Sequence, residues 1–143
     1  MSIENNAGPI ILVVEDVEET RDGIEKLLTA DGYRVNPARD EDDAVDRAER
    51  EPPGLILVSV AGLHSQVLAL AARIRQRAEL SDNVPIVIFC IPSIAEGAEV
   101  ALGKNIYLTR PDNFDQLRAF LKHLLRTSPT LRYARSGGFY STG

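Results

Sequence analysis

The adjacent carboxylates Glu15 and Asp16 are placed for chemistry: they cut short the aliphatic run Ile10-Ile11-Leu12-Val13-Val14, just ahead of a helical pattern. In open α/β sheets the crevice beyond the carboxyl ends of the strands is where ligands and reactions collect. The turn Glu15-Asp16-Val17-Glu18-Glu19 is acidic and lacks glycine, so it repels a phosphate rather than cradling one. The other acid run, Asp40-Glu41-Asp42-Asp43, suits the first turn of a helix, where the dipole favours negative charge, and the glycine and glutamate spacing of a calcium loop does not follow it. His64 and His123 lack metal-site spacing, and zinc is not expected. The single cysteine, Cys90, lies in an apolar run, excludes an internal disulfide and fits a reducing compartment.

Five consecutive aliphatics without period-2 alternation indicate a strand buried on both faces, and such a strand needs helices above and below it. Strand and helix patterns then alternate along the chain. Helical spacing over Val17 to Ala30 is closed by Gly32; Tyr33 to Val35 is a short strand stopped by Pro37; Asp40 to Glu51 is a second helix. Pro52-Pro53-Gly54 breaks the chain before the strand Leu55 to Val60. Gln66 to Leu80 is a third helix, with Arg73, Arg75 and Arg77 turned out. Ile86 to Ile91 is a fourth strand, Ile94 to Leu102 a short helix closed by Gly103, and Ile106 to Thr109 a fifth strand. Asn113-Phe114-Asp115-Gln116 has capping-box spacing and opens a final amphipathic helix ending near Arg126 or Thr127. One domain is expected over residues 9–127, with flexible ends at 1–8 and 128–143. The sixteen residues after Thr127 are too few for an output domain.

Composition is that of a globular protein, with 44% hydrophobic and 26% charged residues. No apolar run is long enough to span a membrane and the N-terminus has no signal-peptide pattern, so a cytoplasmic location is expected. The net charge of -5 is unevenly spread. Residues 1–51 carry fifteen acids and six bases, whereas residues 104–143 carry two acids and seven bases. The acidic front half argues against nucleic acid, and the basic end reads first as a solvated helix face.

Ile11 to Asp16, Gly32-Tyr33-Arg34-Val35, Pro53 to Val58 and Tyr107-Leu108-Thr109-Arg110-Pro111, in this order and spacing, resemble the receiver domain of bacterial two-component response regulators over about residues 9–126. The resemblance implies a three-layer, doubly wound, flavodoxin-like α/β fold with a five-stranded parallel sheet of order 2-1-3-4-5. It also implies a phosphoacceptor aspartate after the third strand, assisted by a divalent cation, a hydroxyl residue and a lysine. Glu15 and Asp16 match the family's acid pair. Ser59 stands at the aspartate position, Cys90 at the hydroxyl position and Arg110 at the lysine position. A serine hydroxyl is a poor nucleophile without a base, and Asp16 and Glu15, with the Ala61 carbonyl, make thin support for magnesium.

These departures point to a degenerate receiver, a pseudo-receiver that is not an enzyme, holds at most weak magnesium, and acts by protein-protein interaction with a sensor kinase, another regulator or a second copy of itself. The alternatives are a phosphorelay component with an altered acceptor site and a flavodoxin-like small-molecule binder. Two further expectations concern side chains. Arg110 pairs with Asp16 or Glu15, because a forked guanidinium suits a carboxylate. Partners dock on a face of the fourth helix, fifth strand and final helix that includes Tyr107, Arg118, Lys122 and Arg126.

Overall fold

The computed structural model describes residues 9–89 and 94–127; the expectations for residues 1–8, 128–143 and Cys90 lie outside them. In chain order the elements are β1 (Ile10–Val14), α1 (Glu18–Ala30), β2 (Arg34–Ala38), α2 (Glu41–Arg50), β3 (Leu55–Val58), α3 (His64–Arg77), β4 (Ile86–Phe89), β5 (Glu99–Gly103), β6 (Ile106–Thr109) and α4 (Phe114–Thr127). The described residues form a six-stranded sheet of order β2-β1-β3-β4-β6-β5, parallel except for the antiparallel pair β5/β6.

The aliphatic runs become central strands because helices cover both faces. Leu12, Val14, Ile56, Val58, Ile86, Ile88 and Leu108 are buried with Ala44, Val45 and Ala48 of α2 and Val67, Ala71 and Ile74 of α3. The alternate residues Ile11, Val13, Leu55, Leu57 and Val87 are buried with Ile24 and Leu28 of α1 and Leu117, Phe120, Leu121, Leu124 and Leu125 of α4. Strands buried on both faces read as unbroken aliphatic runs, and β1, β3 and β4 have that pattern. Strand β2 runs through Pro37 instead of stopping before it. This is tolerated because β2 is an edge strand, with its ladder bonds to β1 alone.

The expected helix over Ile94 to Leu102 is not formed. Residues Glu99–Gly103 instead make β5, which turns back onto β6 through Lys104 and Asn105. Both turn residues have positive φ, 53° and 64°, as a two-residue hairpin turn requires, and Gly103, at φ 98°, supplies the left-handed conformation beside a bulge. The sheet therefore has six strands where five were expected. Alanine favours a helix, but Val100 packs on the core cluster shared by α2 and α3, and that tertiary contact overrides a weak propensity.

Arg75 is a second departure, since it is buried rather than turned out. Its guanidinium donates to the Lys104 carbonyl at 2.7 Å and the Val84 carbonyl at 2.8 Å, with Asp82 3.5 Å away. It thereby ties α3 to the hairpin turn and to the segment before β4. Asn105 joins in, donating to the Asn83 carbonyl and, through its own carbonyl, accepting from the Ile86 N–H.

Candidate functional site

Strand register assembles the site. Val14 pairs with Val58, Val58 with Ile88, and Ile88 with Leu108, so these four stand in one row across the sheet. One residue further on come Glu15, Ser59, Phe89 and Thr109; a second step brings Asp16, Val60 and Arg110. The acid pair, Ser59 and Arg110 thus share the carboxyl end of the sheet. The Ser59 N–H donates to the Val14 carbonyl at 2.8 Å, continuing the β1/β3 ladder, and the Glu15 N–H donates to the Ala38 carbonyl.

The two acids have different tasks. Glu15 is 4% exposed, and its carboxylate accepts the Val17 N–H at 3.0 Å. Val17 precedes α1 and has no side-chain acceptor, so Glu15 adds an accepting carboxylate ahead of a first turn that already carries Glu18 and Glu19. Arg21 donates to the Glu15 carbonyl at 2.8 Å and holds the same turn from within α1. Asp16 is exposed. The loop after Ser59 ends on a similar local substitution. Leu63, 68% exposed, sits at the cap of α3, and the Gln66 side-chain oxygen accepts its N–H at 3.1 Å.

Arg110 does not meet the acids. Its guanidinium donates to the Ile94 carbonyl at 3.1 Å, and among the described residues no ion pair within 4 Å joins it to Glu15 or Asp16. The cause is local: the Arg110 backbone is bound on both sides by the segment entering β5, through Arg110 N–H to Ala98 and Gly97 N–H to Arg110, and the side chain follows that segment. The magnesium ion that a receiver fold implies meets a poor donor set. Glu15 is committed to its own loop, Ser59 offers a neutral hydroxyl, and the described residues contain no cluster of three His, Cys, Asp or Glu able to hold a metal.

The expected docking residues are partly engaged. Tyr107 is half-buried, its hydroxyl 2.6 Å from the Asn105 side-chain oxygen and its ring edge-on to Phe120 with centroids 5.7 Å apart. Arg118 pairs with Asp31 at 2.6 Å and Asp115 at 3.0 Å, and its guanidinium holds the Asp31 carboxyl below the usual carboxylate range. Lys122 and Arg126 are exposed. Gln116, which the capping pattern singles out, donates its N–H to the Asn113 side-chain oxygen, and its own side-chain oxygen reaches back to accept the Asp112 N–H, one residue beyond the box. Its amide also donates to Gly97 and Glu99, tying α4 to β5. Sequence reasoning missed Arg75, although it lies four residues after Ala71 on the buried stripe of α3.

The sequence model of the response regulator receiver domain matches residues 11–122. Response regulator MprA of Mycobacterium sp. strain KMS is 30% identical over 122 residues, covering 83% of this chain and 52% of MprA. The chain spans about half the length of the curated relatives it matches first. Among solved structures, TrrA of Thermotoga maritima in complex with Mg(2+)-BeF superposes with a TM-score of 0.61 at 21% identity, covering 81% of this chain and 98% of that one. NtrX of Brucella abortus in complex with ADP gives 0.68 at 21% identity, covering 95% of this chain and 30% of NtrX. The fold is therefore the flavodoxin-like receiver fold, and the chain belongs to the response regulator receiver domain family.

Proposed function

We propose that this chain is a pseudo-receiver: a signalling domain that keeps the receiver fold, is not phosphorylated at Ser59 and acts by binding protein partners. The observation that carries the reading is the site beyond β3, where a serine hydroxyl stands at the nucleophile position. A hydroxyl must lose its proton to attack, and the contact described for Ser59 is a main-chain one, its N–H on the Val14 carbonyl. Arg110, held on the Ile94 carbonyl, supports the same conclusion, because the cation that would answer phosphoryl charge is occupied elsewhere. On this reading the domain is not an enzyme, holds at most weak magnesium at Asp16 and Glu15 and works in the cytoplasm, and among the described residues no helix is long and apolar enough to cross a membrane. Its partners are a sensor kinase, another regulator or a second copy, met through the side that carries Tyr107, Lys122 and Arg126. That side carries the β5/β6 hairpin and α4, with β5 in the place of the helix expected over Ile94 to Leu102.

The test is a titration with magnesium and beryllofluoride followed by amide NMR. The reading requires that beryllofluoride add no saturable shifts at Asp16, Ser59 and Arg110 to those that magnesium alone gives. Saturating beryllofluoride-dependent shifts centred on those residues would show a working acceptor pocket and overturn it.

A further inference from the structure

Strand β5 is the margin of the sheet, and among the described residues nothing pairs with its outer side. The Arg110 N–H donates to the Ala98 carbonyl at 3.1 Å, which fixes the alternation along the hairpin. The Ala98 carbonyl and, two residues on, the backbone groups of Val100 turn to β6, while Glu99 and Ala101 turn theirs outward. An exposed edge is a template for another strand, and proteins that remain single blunt it with proline, lysine or a covering segment. The run Glu99-Val100-Ala101-Leu102-Gly103 carries one charge and no proline, and it leaves Leu102 45% exposed. Beside it runs a shallow groove of about 370 Å³ between β5 and α4, lined by Glu99, Ala101, Tyr107, Gln116, Ala119, Phe120 and His123, with the Gln116 amide reaching Glu99 at one end.

The charge on this margin is polar along its length. Exposed acids Glu96, Glu99, Asp112 and Asp115 gather where β5 and α4 begin, and exposed Lys104, Lys122 and Arg126 stand toward the ends of the same two elements. A strand added parallel from another copy would oppose like with like. A two-fold axis reverses the second copy and sets each acidic end beside a basic one, the isologous arrangement that closes a dimer.

We infer that β5 pairs antiparallel with β5 of a second copy about a two-fold axis near Val100, joining two six-stranded sheets into one. Glu99 then stands opposite Ala101 of the second copy, and the outward groups of these residues make about four main-chain hydrogen bonds. Leu102 falls beside Ala98 of the other copy and loses its exposure. This inference names the partner and surface for the binding role proposed above and rests on that reading.

Sedimentation velocity of the full chain tests it. The wild-type chain is expected to dimerise at micromolar concentration, more weakly as salt rises. Ala101→Pro removes an outward N–H that an edge strand does not use within one copy, so the monomer should fold with an unchanged circular dichroism spectrum while the dimer is lost. Glu99→Lys, at an exposed residue whose carboxylate also accepts the Gln116 amide, should weaken dimerisation roughly tenfold by opposing the second copy's basic end. A chain that stays monomeric up to its solubility limit, or a dimer indifferent to both substitutions, overturns the inference and leaves the edge to an extended segment of another protein. Neither result bears on whether Ser59 accepts phosphate, which the magnesium and beryllofluoride titration decides.

Discussion

Arg75 is the residue whose removal should be felt most in the described structure outside the aliphatic core. Burial lowers its pKa, Asp82 partly restores it, and its Nε has no hydrogen-bond partner, so the charge is held by two carbonyls and one exposed carboxylate. Arg75→Ala leaves those carbonyls unsatisfied and should cost about 2–3 kcal/mol in urea unfolding. Arg73→Ala removes only an exposed pair with Glu41 and should cost less than about 1 kcal/mol. Equal losses would mean that Arg75 is not a strut. Leu63 tests the opposite sign: leucine has no acceptor, and Leu63→Ser should stabilise by about 0.5–1 kcal/mol by accepting the Gln66 N–H. No gain would show that the Gln66 N–H at this end does not need a side-chain acceptor. The acid pair was legible because it interrupts a strand. The separation of roles, with Glu15 on the Val17 N–H and Asp16 exposed, was not, since it depends on the loop's path.

The hairpin is the element that decides how this receiver differs in outline from the expected pattern. Gly103 has φ 98°, a conformation that costs any side-chain-bearing residue, and nothing lies within 4 Å of an added Cβ, so Gly103→Ala tests conformation without collision. It should destabilise by about 1 kcal/mol and raise amide exchange selectively in β5 and β6. Uniform exchange changes across the sheet would contradict a local effect. Strands β1, β3 and β4 were readable because burial on both faces writes a continuous aliphatic run. Strand β5 was misread because Ala95, Ala98 and Ala101 followed by Gly103 imitate a short helix with its terminal glycine. The deciding facts, Val100 on the core and Arg75 on the turn carbonyl, are long-range.

Across the whole molecule, arginine-carboxylate contacts lock the outer layer. Glu41 of α2 pairs with Arg73 and Arg77 of α3, and the Arg73 hydrogen bond foremost holds its carboxyl below the ordinary range. Burial alone would raise Asp43, but the Arg39 N–H and the Arg47 guanidinium more than offset it, and Asp31 is held down by Arg118. Carboxyls depressed in the folded state add stability that is complete above their unfolded values, near about 4, and lost as pH falls through the lower native ones. The urea midpoint should therefore fall steeply below about pH 4, and less steeply in Glu41→Gln. A midpoint independent of acid would contradict this. The layered receiver architecture was legible in the order of strands and helices, and the sixth strand at its margin was not.

The central claim is that this fold no longer accepts a phosphoryl group, and intact-mass spectrometry after incubation with acetyl phosphate and magnesium tests it most directly. The account predicts an unchanged mass for the wild-type chain. A mass increase of one phosphoryl group, localised to Ser59 at the end of β3 or to Glu15 or Asp16 at the end of β1, would contradict it.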